Sequence, residues 1–202
     1  MRRELQRLSP GPNPVATLST WPPAVLDFSE NYFALFGLPV GYALDGELLA
    51  ERYRALQSAV HPDRFASAPD QERRLSMQAA TRVNEAFQTL RDPLRRASYL
   101  LTLHAEPDAR PDVQDTAFLM EQMELRETLA EAGDAPDPQA AVAGVLDRIE
   151  RSERAIGADL IRLFTHPTPE DLAAARAAVH KLQFLDKCRR DAEALERALD
   201  GD

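Results

Sequence analysis

The sequence predicts an all-α protein in two parts, an N-terminal helical hairpin followed by a C-terminal antiparallel three-helix bundle. The chain has only eight glycines and 6% aromatic residues, and Ala, Leu, Glu and Arg are abundant, a composition typical of helices. Apolar residues recur every three or four positions in several stretches. Residues 1–110 carry 13 Lys/Arg and 13 Asp/Glu, whereas residues 111–202 carry 11 and 20. The net charge of −9 therefore lies in the second part, which argues against nucleic-acid binding, since that depends on neutralising phosphates.

The first 30 residues contain five prolines, and we expect a flexible or locally extended tail there. An apolar stretch from Tyr32 to Phe36 predicts a short helix that Gly37 and Pro39 should end. The prolines and Glu4 argue against an amphipathic transit helix, and no apolar run approaches the length of a membrane span. We therefore expect a location in the bacterial cytoplasm rather than the mitochondrial matrix, and no membrane partner.

Two amphipathic helices should follow and pack as an antiparallel hairpin. Asp45 is a suitable N-cap for the first, and Pro62 should end it by restricting His61. The second can start at Ser67 or Asp70. Their apolar stripes consist of Leu44, Leu48, Leu49, Leu56 and Val60 in the first helix, and Leu75, Ala79, Val83, Ala86 and Leu90 in the second. Residues 61–63 would then lie exposed at the tip of the hairpin.

The rest of the chain is predicted to be helical, with one linker. Asp92 and Pro93 should start a helix that runs through Leu103, and residues 105–112 look like a linker. Three helical patterns then follow, at about residues 113–132, 139–165 and 169–199. Short breaks between them predict an antiparallel bundle. The single cysteine, Cys188, lies on an apolar stripe and should be a small core residue.

The tripeptide His61-Pro62-Asp63 allows two interpretations. Taken alone it could simply end a helix, because histidine interacts well with a helix C-terminus and proline cannot continue the helix. Its flanks favour the second interpretation: residues 52–56, 61–65 and 84–90 resemble a J-domain in order and spacing. The resemblance implies docking on a DnaK-class ATPase chaperone and stimulation of its ATP hydrolysis. The implied contacts are His61, Pro62, Asp63, Arg52, Arg54 and Arg64, with Arg52 and Arg54 facing solvent.

The helix at 113–132 has two different faces. Phe118, Leu125 and Leu129 fall within about 20° of one direction, at ~100° per residue, and make a core stripe. The other face carries Leu119, Met120, Met123, Glu124, Glu127 and Glu131. Either its apolar residues pack against the other bundle helices above a solvated acidic rim, or the face binds a basic partner, since methionine adapts to a partner's shape.

A narrower resemblance extends over roughly residues 31–199. Residues 32–39, 115–127 and 181–187 resemble the HscB-type co-chaperones of iron–sulfur cluster assembly. This resemblance implies an L-shaped molecule with a J-domain at 31–104 and a scaffold-binding bundle at 113–202. It also implies two partners, an IscU-type iron–sulfur scaffold and an HscA-type DnaK-class ATPase. The implied scaffold contacts are Leu119, Met120, Met123, Glu124, Glu127, Glu131 and Phe184, and Phe184 is expected to be exposed because it lies off the apolar stripe of its helix.

Two alternatives stay open. The chain could be a general J-domain co-chaperone whose acidic bundle binds another client. It could also be a small metal-dependent hydrolase that uses His61 and Asp63, although no nucleophile or pocket motif accompanies them. The remaining histidines have no metal-ligand spacing, and no glycine-rich phosphate loop is present. We therefore expect a monomeric protein that is not an enzyme and that has no metal or other cofactor.

Overall fold

The structure, a computed structural model, describes residues 30–104 and 116–200, and all regular structure within these ranges is helical. A single 3₁₀ turn, Pro62–Phe65, interrupts the succession of α-helices. The helices are α1 (Tyr32–Leu35), α2 (Gly46–Val60), α3 (Asp70–Arg91), α4 (Pro93–Leu103), α5 (Thr116–Ala132), α6 (Pro138–Leu163) and α7 (Pro169–Leu199). The all-α prediction is confirmed. The predicted tail, apart from Glu30, and the predicted linker 105–112 lie outside the described residues.

Side-chain caps set the starts of the helices where the sequence places them. The Asp45 carboxylate accepts hydrogen bonds from the backbone N–H groups of Glu47 and Leu48, both at 3.0 Å, so α2 begins there. The Asp92 carboxylate likewise accepts from the backbone N–H of Arg95 at 2.8 Å. These bonds satisfy donors that have no partner within the first turn of a helix.

The hairpin of α2 and α3 is held by an apolar seam and an aromatic pair. Leu56 from α2 and Val83 and Leu90 from α3 are almost fully buried. The rings of Tyr53 and Phe87 stack with their centroids 4.0 Å apart, which joins the two helices beside that seam. The hairpin is therefore a packed unit that holds the connection between its helices in place.

The second turn of α3 differs from the prediction. Leu75 was expected on the buried stripe, but 47% of its surface is exposed, whereas the neighbouring Ser76 is buried. The reason is that Ser76, which lies about 100° around the helix from Leu75, is the residue that faces the end of α2. The Ser76 hydroxyl instead donates a 2.8 Å hydrogen bond to the Val60 carbonyl oxygen.

Helices α5, α6 and α7 form the expected three-helix bundle, in which α6 packs along α7 and α5 packs on both. The buried residues at the centre of this bundle are Leu125, Ala132, Val142, Val145, Ile149, Phe184, Leu185, Cys188 and Ala192. The prediction that Cys188 is a core residue is confirmed, and burial raises the pKa of its thiol.

The N-terminal helices and one end of the bundle share an apolar core, which the sequence did not reveal. Leu160 and Val179, from the adjoining ends of α6 and α7, lie in the same buried cluster as the hairpin residues. The Phe164 ring stacks on Tyr42 at 6.4 Å, and the Arg96 guanidinium lies 4.9 Å from the Tyr42 ring. The N-terminal helices therefore pack at one end of the α6–α7 pair, and α5 packs at the other end.

Candidate binding surfaces

The first candidate surface is the HPD tip, which we define as His61, Pro62 and Asp63. It lies between α2 and α3, where His61 adopts an extended backbone (φ −59°, ψ 128°) and Pro62 opens the 3₁₀ turn. All three residues are exposed, and the side chains of His61 and Asp63 are 52% and 90% accessible. The structure therefore confirms the predicted position of these residues at the free end of the hairpin.

Hydrogen bonds within the HPD tip orient its two polar side chains. The His61 Nδ1 atom accepts a 3.3 Å hydrogen bond from the backbone N–H of Asp63, and the Asp63 carboxylate lies 3.5 Å from the same nitrogen. His61 thus folds the turn through its Nδ1 atom, while the Asp63 side chain, 90% accessible, stays available to a partner.

The last turn of α2 is tied to the HPD tip and to α3. The Arg64 guanidinium donates a 3.2 Å hydrogen bond back to the Ser58 carbonyl, and the buried Ser76 hydroxyl donates to Val60. Both bonds satisfy carbonyls at the end of a helix that have no partner within it. Sequence reasoning missed Ser76. The feature of the sequence that could have identified Ser76 is its position: it is a small polar residue beside the apolar stripe of α3, near the hairpin tip.

We expect Ser76→Ala to destabilise the protein. The substitution leaves the Val60 carbonyl without this hydrogen bond, and an unsatisfied buried polar group costs about 1–3 kcal/mol. Urea unfolding followed by circular dichroism should show this loss. Thr81→Ala is the matched control, because the Thr81 hydroxyl bonds only to a carbonyl of its own helix at an exposed position. An equal loss in both variants would contradict a specific role for Ser76.

The two arginines predicted to face solvent beside the HPD tip differ in exposure. Arg54 is exposed, but Arg52 is half-buried, so the prediction is wrong for Arg52. Helical geometry explains the difference: at ~100° per residue, Arg52 lies only about 40° from Leu56, whereas Arg54 lies about 160° away. Long arginine side chains can bury their stems while the charged head stays near the surface. Arg54 therefore offers the more accessible positive charge on α2.

The second candidate surface is the acidic methionine face of α5, defined as Leu119, Met120, Met123, Glu124, Glu127 and Glu131. All six residues are exposed, and the two methionines are exposed at 60% and 72%. The opposite side of α5 packs into the bundle through the buried Leu125 and the half-buried Phe118 and Leu129. The interpretation that Leu119 and Met123 pack within the bundle is therefore wrong.

One carboxylate of the acidic methionine face is oriented by a neighbouring helix. Glu124 lies 3.4 Å from the Arg148 guanidinium of α6, and their side chains are 63% and 39% accessible. An ion pair at such a position contributes little to stability, about 0–1 kcal/mol. It does hold Glu124 toward α6, so the acidic methionine face extends to the edge of that helix.

Phe184 does not belong to this exposed surface. Only 8% of its surface is accessible, so its expected exposure is wrong. The physical reason is that α5 covers this side of α7: the Phe118 ring meets Phe184 edge-on at 5.9 Å, and the Arg126 guanidinium lies 5.4 Å from the ring. Phe184 thus packs between α7 and α5 and helps to hold the two helices together.

We expect Phe184→Ala to destabilise the bundle, because replacing a buried phenylalanine by alanine lowers the free energy of unfolding by about 3–5 kcal/mol. Met120→Ala, on the exposed side of α5, should change the unfolding free energy by no more than about 0.5 kcal/mol. Urea denaturation of both variants checks this. Similar stabilities would mean that Phe184 does not support α5.

No group of three or more His, Cys, Asp or Glu side chains arranged to hold a metal ion occurs within residues 30–104 and 116–200. Among the described helices, none is long and apolar enough to cross a membrane.

Comparison with known proteins identifies close relatives along most of the chain. Residues 114–193 match the family described as HSCB C-terminal oligomerisation domain. The chain is 43% identical over 171 residues to the co-chaperone protein HscB homolog of Shewanella halifaxensis, an alignment that covers 84% of this chain and 98% of the relative. The homolog from Shewanella baltica strain OS195 is 42% identical over 171 residues with the same coverage.

Two solved structures have the same fold as this chain. The chaperone HscB from Vibrio cholerae superposes with a TM-score of 0.74 at 40% identity, covering 84% of this chain and 99% of that structure. Human co-chaperone HscB superposes with a TM-score of 0.75 at 28% identity, covering 84% and 83%. Both pair an all-α J-domain with a helical bundle. Sequence and structure together show that this chain belongs to the HscB family of co-chaperones.

Proposed function

We propose that this co-chaperone binds an IscU-type iron–sulfur scaffold, delivers it to an HscA-type DnaK-class chaperone and stimulates the ATPase of that chaperone. The observation that carries the proposal is the presence of two separate exposed surfaces of different chemistry on one molecule. One is the HPD tip, and the other is the acidic methionine face.

The HPD tip supports the role of ATPase contact. The Asp63 carboxylate is 90% accessible and can accept a bidentate contact from an arginine of the ATPase. Arg54 adds an exposed positive charge on α2 for docking on an acidic surface. Arg64 is turned back onto α2, so in this proposal it contributes mainly by holding the turn.

The acidic methionine face supports the role of scaffold contact. Met120 and Met123 are the most exposed large apolar residues of the bundle, and glutamates surround them. An adaptable apolar centre with a charged rim is the usual anatomy of a protein interface. The carboxylates would favour a scaffold surface that carries lysine or arginine.

The shared core links the two surfaces. Because Leu160 and Val179 lie in one buried cluster with the hairpin residues, the J-domain and the end of the α6–α7 pair form a continuous packed body. Binding the scaffold then presents it near the chaperone at a raised effective concentration. We further propose that the protein acts as a monomer in the bacterial cytoplasm, without a cofactor and without enzymatic activity of its own.

The test is steady-state ATP hydrolysis by an HscA-type chaperone, with this protein and the scaffold added singly and together. Synergistic stimulation by the pair is the expected result. Stimulation that does not depend on the scaffold would leave a general J-domain co-chaperone and overturn the assigned role of the acidic methionine face. ATP turnover or hydrolase activity by this chain alone would overturn its non-enzymatic assignment.

A further inference from the structure

The sulfur-containing side chains of this protein occupy two very different environments. Three methionines are exposed, Met77 and Met120 at 60% each and Met123 at 72%. Only 3% of the Cys188 surface is accessible, and burial raises the pKa of its thiol. Oxidants attack the thiolate, so Cys188 is protected in two ways. Among the described residues, the sulfur-containing side chains open to an oxidant are therefore the three methionines.

Met120 and Met123 lie on the same side of α5. A separation of three residues places them about 60° apart around the helix axis and about 4.5 Å apart along it. Neither belongs to the buried centre of the bundle, which α5 contacts through Leu125 and the half-buried Phe118 and Leu129. A chemical change at either sulfur therefore alters the exposed surface of α5 and leaves the core contacts of that helix in place.

The two methionines supply most of the apolar surface of the acidic methionine face. Its other apolar residue is Leu119, which is 46% exposed, and its remaining members are glutamates. Oxidation of a thioether to a sulfoxide replaces a flexible apolar group by a polar one. With both methionines oxidised, Leu119 is left as the only apolar side chain among carboxylates. The adaptable apolar centre on which the proposed scaffold contact depends is then lost.

The reaction needs a hydroperoxide and no other reagent. The thioether sulfur attacks one peroxide oxygen, the O–O bond breaks and an S–O bond forms. The sulfur loses two electrons, and the proton of the transferred OH group moves to the departing oxygen, which leaves as water or an alcohol. Methionine sulfoxide reductases reverse the change by using thiols as the electron source, so the modification is reversible.

We propose that Met120 and Met123 are modification sites at which oxidation by a peroxide switches off scaffold binding. This inference rests on the proposed function of the acidic methionine face. The HPD tip contains no sulfur, so oxidation leaves the proposed ATPase contact intact. The oxidised protein still stimulates the chaperone ATPase on its own but no longer shows synergy with the scaffold, and reduction of the sulfoxides restores the synergy.

The test compares scaffold affinity before and after oxidation of the full-length protein with hydrogen peroxide, which is removed before the scaffold is added. Peptide mass spectrometry shows which methionines have gained one oxygen atom, and both α5 methionines should do so. We expect the affinity in isothermal titration calorimetry to fall by about tenfold or more, because a polar group without a hydrogen-bond partner is unfavourable in an apolar contact. Methionine sulfoxide reductase with dithiothreitol should restore the affinity.

Two variants distinguish the methionines. Met77→Leu removes an equally exposed thioether from α3, outside both proposed surfaces, so oxidation should weaken scaffold binding in this variant by the same factor as in the unmodified protein. Met120→Leu combined with Met123→Leu removes the proposed modification sites. Whatever the starting affinity of this double variant, oxidation should not lower it further.

The possible results separate this inference from the proposed function. Unchanged scaffold affinity after oxidation of both α5 methionines would overturn the inference and leave the proposed function standing. A loss that also occurs in the double leucine variant, or that the reductase does not reverse, would assign the effect to another group and overturn the inference. Loss of helical circular dichroism on oxidation would do the same, since the cause would be unfolding. If the unoxidised protein does not bind the scaffold, the proposed function fails and the inference fails with it.

Discussion

Asp63→Asn is expected to abolish stimulation of the chaperone ATPase while leaving the protein folded. The substitution removes the charge with almost no change in shape, and the side chain is 90% accessible, so the fold loses little. In the proposed complex the carboxylate pairs with an arginine. Losing one partner of a desolvated charge pair costs about 2–5 kcal/mol, or roughly 30-fold or more in apparent affinity. Steady-state ATP hydrolysis over a range of co-chaperone concentrations measures the effect.

Asp134→Asn is the matched control for this prediction. It removes the same charge from an exposed aspartate in the turn after α5, far along the chain from the HPD tip. Stimulation should be unchanged in this variant, and both variants should bind the scaffold normally. Asp63→Asn that still stimulates at the same concentrations, or Asp134→Asn that fails equally, would refute a specific role for the Asp63 carboxylate.

The second large effect concerns the acidic methionine face. Met123→Ala combined with Glu124→Ala is expected to weaken scaffold binding by roughly 30-fold or more, since loss of a central hot spot costs about 2 kcal/mol or above. Met123 is 72% exposed and Glu124 forms only an exposed ion pair with Arg148, so stability should hardly change. Isothermal titration calorimetry with the scaffold gives the affinity directly.

The J-domain offers a matched double variant for comparison. Met77→Ala with Glu72→Ala makes the same two changes at exposed positions of α3. This pair should bind the scaffold as tightly as the unmodified protein. The α5 variant should still stimulate the ATPase in the absence of scaffold but lose the synergy. Equal weakening in both double variants would show that the effect is not specific to the acidic methionine face.

Local signals in the sequence were sufficient to predict the helices. Asp45 and Asp92 cap helices where expected, and α7 runs over Pro169–Leu199 as the periodicity indicated. These features depend on residues within one or two turns of each other, since hydrogen bonds at helix ends and three- or four-residue spacing are local. The exposure of the HPD tip followed from the same logic, because a short connection between packed helices must lie at their end.

Residues near the edge of an apolar stripe were predicted less well. Leu75, Arg52 and Phe184 all lie at intermediate angles on their helices, where burial depends on whether another element happens to cover that side. Leu75 is exposed because the neighbouring Ser76 faces the end of α2 in its place, and Phe184 is buried because α5 covers it. No feature of the individual helix decides whether these residues are buried. The answer depends on how the helices pack in the folded molecule.

The sequence alone therefore determined the helices and the hairpin with its tip, because each depends on spacing within one helix or one connection. Whether the methionine side of α5 is exposed stayed open until the packed structure showed it. The tertiary structure decided that Phe184 supports α5, that Ser76 closes the end of α2, and that Tyr42 and Phe164 join the two parts. These contacts bring together residues as much as 122 positions apart, as for Tyr42 and Phe164. Their formation depends on the relative placement of whole helices, which is set by the collective burial of apolar surface rather than by any local signal.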